Sequence, residues 1–354
     1  MIRTAGIRDA FVQACALDVA VRKPGNVSHA SPGHGMQAAQ FEASAEAAAG
    51  PLCRAGASVG QRIVTAQAAS WRAAGCNTNL GIVLLCAPLA AAAEQCLAAA
   101  AEQSLAAAAE HGLAAAARPP WAGAAAPAVA QPPPQPLQPA GLRAALQQVL
   151  GALDRHDAQA AFTAIAAAQP GGLGEAPTQD VHGPATLGLR AAMALAAERD
   201  RIARQYRDGF ADLFDTALPA WAAACGGQPL APPPWAGPGG DAAGHRAVLR
   251  LYLALLARWP DSHIVRKHGE AVAHTVMALA QGWQRRAASD DTAALACELA
   301  QWDQSLKHQG LNPGTTADLT VATLMLAALI HPAPGPGPQA ADSSTRRLRA
   351  WHGT

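Results

Sequence analysis

The sequence predicts an all-α protein, and three observations carry that expectation. About a quarter of the 354 residues are Ala, the strongest helix former. Aromatic residues make up only 4% and Val, Ile, Tyr and Phe are sparse, too few to fill several pleated strands. No stretch alternates apolar and polar residues for long, whereas apolar positions recur at helical spacing in many. The expected organisation is one multi-helix domain over 1–330, interrupted by a low-complexity insert at 89–140 and followed by a disordered tail at 331–354. A chain of this length buries a substantial core without staples.

The elements follow in order. A helix over 8–21 carries Phe11, Val12, Cys15, Leu17 and Val19, and Lys23-Pro24-Gly25 stops it. A Gly-, His- and Ser-rich loop runs over 26–36, then helices over 41–49 and 60–74. Asn77-Thr78-Asn79 opens the next helix, with Thr78 or Asn79 at its N-cap. From Leu89 onward the unit L-A-A-A-A-(E/R) recurs every eight residues. At about 100° per residue its leucines advance by roughly 80° per repeat and spiral around a helix. They form no single apolar stripe, so the repeat reads as a helix extension without chemistry, removable over 96–117 without loss of folding. A Pro-rich loop spans 121–139. Helices are expected over 142–153 and 158–168, then a Gly-rich connector at 170–174, and a long helix over 186–217 in which Asp200 pairs with Arg204. A Gly/Pro loop at 226–240 precedes helices over 246–258, 262–286, 292–309 and 315–330.

Composition excludes several classes. Lys plus Arg is 26 against 25 for Asp plus Glu, so no large basic surface exists for nucleic acid. The apolar runs 81–93 and 320–330 are too short to span a bilayer, and no secretory leader is visible, so no membrane association is expected. Seven Cys without a C-x-x-C pair fit a reducing cytoplasm better than disulfides or zinc. No phosphate-binding G-x-G-x-x-G or Walker string is present.

A bias within the composition points at a site. The chain has three Lys against 23 Arg, and four Asn. All seven fall in Gly-, Pro- or polar-rich strings, around Lys23 and Asn26, Asn77 and Asn79, Lys267, and Lys307 and Asn312. A compact ammonium suits a phosphate in a way that Arg does not copy. Lys23-Pro24-Gly25-Asn26 places a cation and an amide just after a helix. Asn77-Thr78-Asn79-Leu80-Gly81 offers free backbone N–H groups at a helix start, suited to phosphate or ribose oxygens. The densest string, Asp261-Ser262-His263-Ile264-Val265-Arg266-Lys267-His268-Gly269, puts Ser262 and Arg266 on one helix face with His263 and Lys267 beside it. Asn312-Pro313-Gly314-Thr315-Thr316-Ala317-Asp318 leads into an apolar helix. There Thr315 and Asp318 read as a capping box, or Asp318 as a carboxylate that holds Mg²⁺ or takes a proton. Arg199 or Arg204 could clamp a phosphate, and the glycines of 170–174 could cradle one.

Together these strings resemble the triphosphoribosyl-dephospho-CoA synthase family. The resemblance lies in Lys23-Pro24-Gly25, in Asn77-Thr78-Asn79-Leu80-Gly81, in the string from Asp261 to Gly269, and in the ordered helical spacing between them, over about 11–330. Family members read Asn-Thr-His-Lys-Gly where this chain has Asn77-Thr78-Asn79-Leu80-Gly81, so Leu80 removes a phosphate contact. The resemblance implies a transferase that moves the 5′-triphosphoribosyl group of ATP onto a ribose hydroxyl of 3′-dephospho-CoA and releases adenine. It implies Mg²⁺ as cofactor and leaves room for a homo-oligomer. On that reading Asp261 and Asp318 are the catalytic and Mg²⁺-holding carboxylates. Lys23, Arg266 and Lys267 are phosphate cations, with Ser262, His263 and His268 beside them. Asn26, Asn77, Thr78 and Asn79 orient ribose or base. Two alternatives remain: the same transfer to another acceptor, such as a pterin-type one-carbon cofactor precursor, and a non-catalytic nucleotide-binding assembly protein.

Overall fold

The computed structural model describes residues 4–116, 137–227, 242–290 and 292–331. Most of the 121–139 loop, the 226–240 loop and the tail beyond 331 lie outside these. Among the described residues all regular structure is helical, with only two isolated bridges, Ser28 to Ser31 and Gly33 to Met36, in the loop after the first helix. The helices are α1 (Thr4–Ala20), α2 (Ala38–Leu52), α3 (Val59–Ala74), α4 (Leu80–Ala116), α5 (Pro139–Gly151), α6 (Arg155–Ala168), α7 (Leu189–Ala194), α8 (Arg201–Asp208), a π-helical segment (Asp212–Ala217), α9 (Leu218–Ala224), α10 (Ala242–Leu256), α11 (Ser262–His268), α12 (Glu270–Ser289), α13 (Ala293–His308) and α14 (Gly314–Ile330).

Two helices form the centre. α14 is apolar all round and buried over nearly its whole length, as such a helix must be. Its Thr320 and Thr323 hydroxyls donate to the carbonyls four residues back, at 2.8 and 2.6 Å. The first half of α4 is equally buried, from Leu80 to Ala93. Helices α1, α8, α9 and α10 pack on α14, and α1, α3, α5 and α6 pack on α4. A second apolar cluster lies between α10, α11, α12 and α13.

Pro88 sits inside α4 without ending it. Proline has no N–H, so the carbonyl of Leu84 loses its helical partner. The buried hydroxyl of Tyr206 in α8 donates to it at 2.6 Å. The helix then runs on through the octapeptide repeat. Its segment Leu80–Ala106 is therefore long and apolar enough to cross a bilayer, which corrects the expectation that the apolar run is too short; most of its apolar window is packed inside the fold. Beyond Leu97, which still touches the core, Leu105 is 71% exposed. Excising 98–116 should leave the thermal midpoint within about 2–4 °C, the change that about 1 kcal/mol makes in a domain of a few hundred residues. A larger fall in a melting scan would show that the extension stabilises the fold.

Two expected long helices are broken. The one over 186–217 is interrupted by Asp200, which caps α8 by accepting from the N–H groups of Ile202 (2.9 Å) and Ala203 (3.0 Å), and again by Gly209 at φ +66°. The one over 262–286 breaks at Gly269, at φ +88°. Asn79 is the residue before α4 and its carbonyl accepts from the Val83 N–H at 2.9 Å, as expected of an N-cap, while the side-chain oxygen that accepts from the Leu80 N–H, at 3.3 Å, is that of Asn77. One cap differs from expectation. α14 begins at Gly314, and the oxygen that caps it belongs to Asp261, not to Thr315.

Candidate functional site

A cavity of about 320 Å³ opens where the starts of α4, α8, α11 and α14 meet the α1–α2 loop and the α6–α7 connector. Helix starts supply polar backbone and caps, and the buried halves of α4 and α14 fix their positions. The cavity has three kinds of wall.

One wall is acidic. Asp318 lies in the second turn of α14 and lines the cavity, with no hydrogen bond or ion pair among the described residues. Its carboxylate lies directly over Gly81 of α4, where even a Cβ would overlap it. Burial, then the negative charges of Asp18 and Asp261, hold the Asp318 carboxyl well above the usual carboxylate range, with Arg266 pulling the other way. Beside it stands Asp18, from the end of α1. Lys23 is 0% exposed, its ammonium 3.0 Å from Asp18 Oδ1 and hydrogen-bonded to the Asp18 carbonyl. Oδ1 is thus taken up by the ammonium, and Oδ2 makes no hydrogen bond or ion pair among the described residues. Burial pushes the Asp18 carboxyl up and the Lys23 charge pulls it back.

A second part of the lining carries Arg199 and Arg266, with the carboxylates of Asp180 and Asp200 among them. Arg266 lines the cavity and donates to Asp200 Oδ2, leaving its Nε buried without a partner. This pairing replaces the expected one of Asp200 with Arg204, which instead binds Glu198 at 2.6 Å. Arg199 lines the same wall, is exposed, and makes no ion pair among the described residues. His263 packs on Gly314, with Nε2 buried and unpartnered. Burial, then Arg266 and Lys267, lower its pKa to about 3, so the ring is neutral at pH 7. The connector glycines Gly171 to Gly174 complete this wall. Gly171 packs on the Lys267 stem, and Gly172, at φ +75°, lies against the Arg266 carbonyl.

The third wall is apolar, with Phe41, Leu80, Phe162, Ile165 and Met193. At the junction of the walls, Asn26 Nδ2 donates to Asn312 Oδ1 at 3.1 Å, and Asn26 Oδ1 is another buried atom without a partner. Three buried polar atoms without a partner thus belong to cavity-lining residues: Asn26 Oδ1, His263 Nε2 and Arg266 Nε. Such groups are costly unless a ligand satisfies them.

Of the residues singled out in the sequence, Asn26, Asn77, Thr78, Arg199, His263, Arg266, Asn312 and Asp318 come together on this cavity, with the glycines of 170–174. Thr78 also donates to Ser44 Oγ at 2.7 Å. The others lie elsewhere. Lys23 is sealed beneath Asp18 and cannot reach a phosphate. Asn79 is buried and accepts from Ser70 Oγ. Ser262 Oγ accepts from the Arg201 N–H at 3.0 Å. Lys267 and His268 are exposed at the rim, His268 against the Gly310 carbonyl at 3.2 Å. Asp261 is buried off the cavity. Its Oδ1 accepts from the N–H groups of His263 and Ile264, and its Oδ2 from the N–H and hydroxyl of Thr316, at 2.8 to 3.1 Å. With both oxygens used twice, Asp261 ties α11 to α14.

Sequence reasoning missed Asp18 and the apolar wall. A signal for Asp18 existed: Ile7, Phe11, Ala14, Asp18 and Val21 fall at helical spacing on one stripe, and the apolar four are all buried. A carboxylate on a buried stripe needs a counter-ion or a task. Gly81→Ala should test the tight crossing of α4 and α14. It should displace the Asp318 carboxylate and cut turnover at least tenfold while helicity by circular dichroism is kept; unchanged turnover would show that the crossing has slack.

Comparisons with known proteins bear on the family and the fold. No curated protein matches the chain significantly. A crystal structure from Archaeoglobus fulgidus, provisionally named a triphosphoribosyl-dephospho-CoA synthase, superposes with a TM-score of 0.54 at 21% identity, covering 83% of this chain and 98% of that one. At that identity it speaks for the shared fold. The sequence profile described as ATP:dephospho-CoA triphosphoribosyl transferase matches residues 4–335, nearly the whole chain. The chain therefore belongs to the ATP:dephospho-CoA triphosphoribosyl transferase family.

Proposed function

We propose that this protein transfers the 5′-triphosphoribosyl group of ATP to a ribose hydroxyl of 3′-dephospho-CoA, releasing adenine. The observation that carries the reading is Asp318, a carboxylate with no hydrogen bond or ion pair among the described residues, in a cavity that Arg199 and Arg266 also line. Arg199, Arg266 and the amides of the glycine connector would hold the triphosphate, and fixing the donor in line supplies much of the rate. Asp318, whose raised pKa suits a base, would take the proton from the attacking hydroxyl as oxygen bonds to C1′ and the bond from C1′ to adenine breaks. The proton returns to the departing adenine, so the step balances. Positive charge builds on the ribose as the base leaves, and the acidic wall stabilises it.

Mg²⁺ bound with a nucleotide needs only one or two carboxylates, phosphate oxygens supplying the rest. Asp18 lines the cavity and would meet that demand through Oδ2, which makes no hydrogen bond or ion pair among the described residues, while Oδ1 faces Lys23. Asp261 does not, since its oxygens are already used. When bound there the ion would neutralise phosphate charge.

The test is adenine release. Purified protein with ATP, Mg²⁺ and 3′-dephospho-CoA should yield free adenine and a triphosphoribosyl adduct of the expected mass. Leu80 on the apolar wall favours a second reading, the same donor with another acceptor. Binding of Mg·ATP without adenine release in the presence of dephospho-CoA, and release with a pterin-type acceptor, would select it. No ATP binding would reject both.

A further inference from the structure

The most completely buried charged group that the proposed chemistry leaves unused is Asp303 in α13, at 0% exposure. It does not line the cavity. Its Oδ1 accepts from the Gly25 N–H and its Oδ2 from the Ser31 hydroxyl, at 2.9 and 2.5 Å. Lys307, one turn on, lies 2.9 Å from Oδ1 and reaches across to the Ser31 carbonyl (2.8 Å) and hydroxyl (2.6 Å). Gln304 adds a bond to the same hydroxyl at 3.0 Å. The Lys307 stem lies against Gly33, so closely that a Cβ there would meet it. One turn of α13 thus grips three points of a loop that has almost no regular structure of its own.

That loop carries Asn26 and Met36 to the cavity, and Lys23 beneath Asp18. Buried ion pairs contribute little to stability compared with apolar residues of the same size, so their retention asks for a specific geometric purpose. We infer that Asp303 and Lys307 are positioning residues that hold the 23–36 loop in the shape that binds nucleotide. The nucleotide part of this inference rests on the proposed function; the grip on the loop does not.

The test uses Asp303→Asn/Lys307→Met, which removes both charges together and keeps an acceptor for the Gly25 amide. Two readouts are needed, Mg·ATP binding by calorimetry with steady-state kinetics, and hydrogen exchange of the loop amides. The expected result is an ATP dissociation constant and KM raised about tenfold, since small misplacement of a binding group is costly. kcat should fall less. Exchange over 25–33 should quicken while the amides of α14 stay protected. A residue of purely structural importance would lower the melting midpoint and leave KM alone. A folded variant with unchanged ATP affinity, or with loop exchange as slow as in the parent, would overturn the inference. Ser31→Ala carries the same test if the double variant does not fold, because it removes only one hydroxyl. If the parent protein binds no ATP, the proposed function fails, and the exchange readout still decides whether α13 holds the loop.

Discussion

Replacing Asp318 with Asn should abolish adenine release while making the free protein more stable at neutral pH. Loss of a general base costs roughly 10²–10⁴ in turnover. The gain in stability follows from linkage. Burial and neighbouring carboxylates raise the Asp318 pKa in the folded state above its ordinary 3.8. The folded protein therefore keeps this proton at pH values where the unfolded chain has lost it. The contribution favours folding at and below pH 3.8 and is lost as pH rises through the folded pKa. Asn has no proton to lose, so the variant escapes that penalty. Melting midpoints should be close for the two proteins near pH 4 and should diverge as pH rises, the variant standing higher. A variant that melts below the parent at neutral pH would mean that Asp318 has a stabilising partner. A variant that still releases adenine at the parent's rate would remove Asp318 from the chemistry.

Lys23→Met should be the most destabilising of the substitutions considered. Its ammonium is fully buried and offsets a carboxylate that is also buried. Removing one partner of such a pair costs about 3–5 kcal/mol, because the other is left uncompensated. Part of that loss should be recovered at acid pH, where the stranded Asp18 takes up a proton. Lys23→Met/Asp18→Asn should melt well above the single variant, since it leaves no stranded charge, yet remain inactive for want of the Asp18 carboxylate. Denaturation midpoints of the three proteins check this. A single variant as stable as the parent would show that Asp18 does not depend on Lys23.

The helical class, the position of nearly every helix and the strings around the site were legible because they rest on local rules: propensity, apolar period and breaker residues. Asp318 and Arg266 were legible as ionisable groups crowded near helix starts. Residue roles that depend on what lies across the fold were not. Lys23 and Asp261 sit in strings that look like ligand sites, and nothing local says that one is sealed under Asp18 or that the other uses one oxygen to cap α11 and the other to cap α14. Asp200 has Arg204 at a helical distance in sequence and takes Arg266, 66 residues away, in space. The two broken helices were hidden for the same reason, since caps at Asp200 and Gly269 compete with apolar periods that continue on both sides of them.

The extension of α4 has a practical side. A helix of 37 residues is about 55 Å long, and the residues by which it lines the cavity all lie within Leu80 to Leu84. Further along, Leu105 is 71% exposed. An added tag, a fluorophore or a fused domain placed there would ride on a rigid rod outside the working parts.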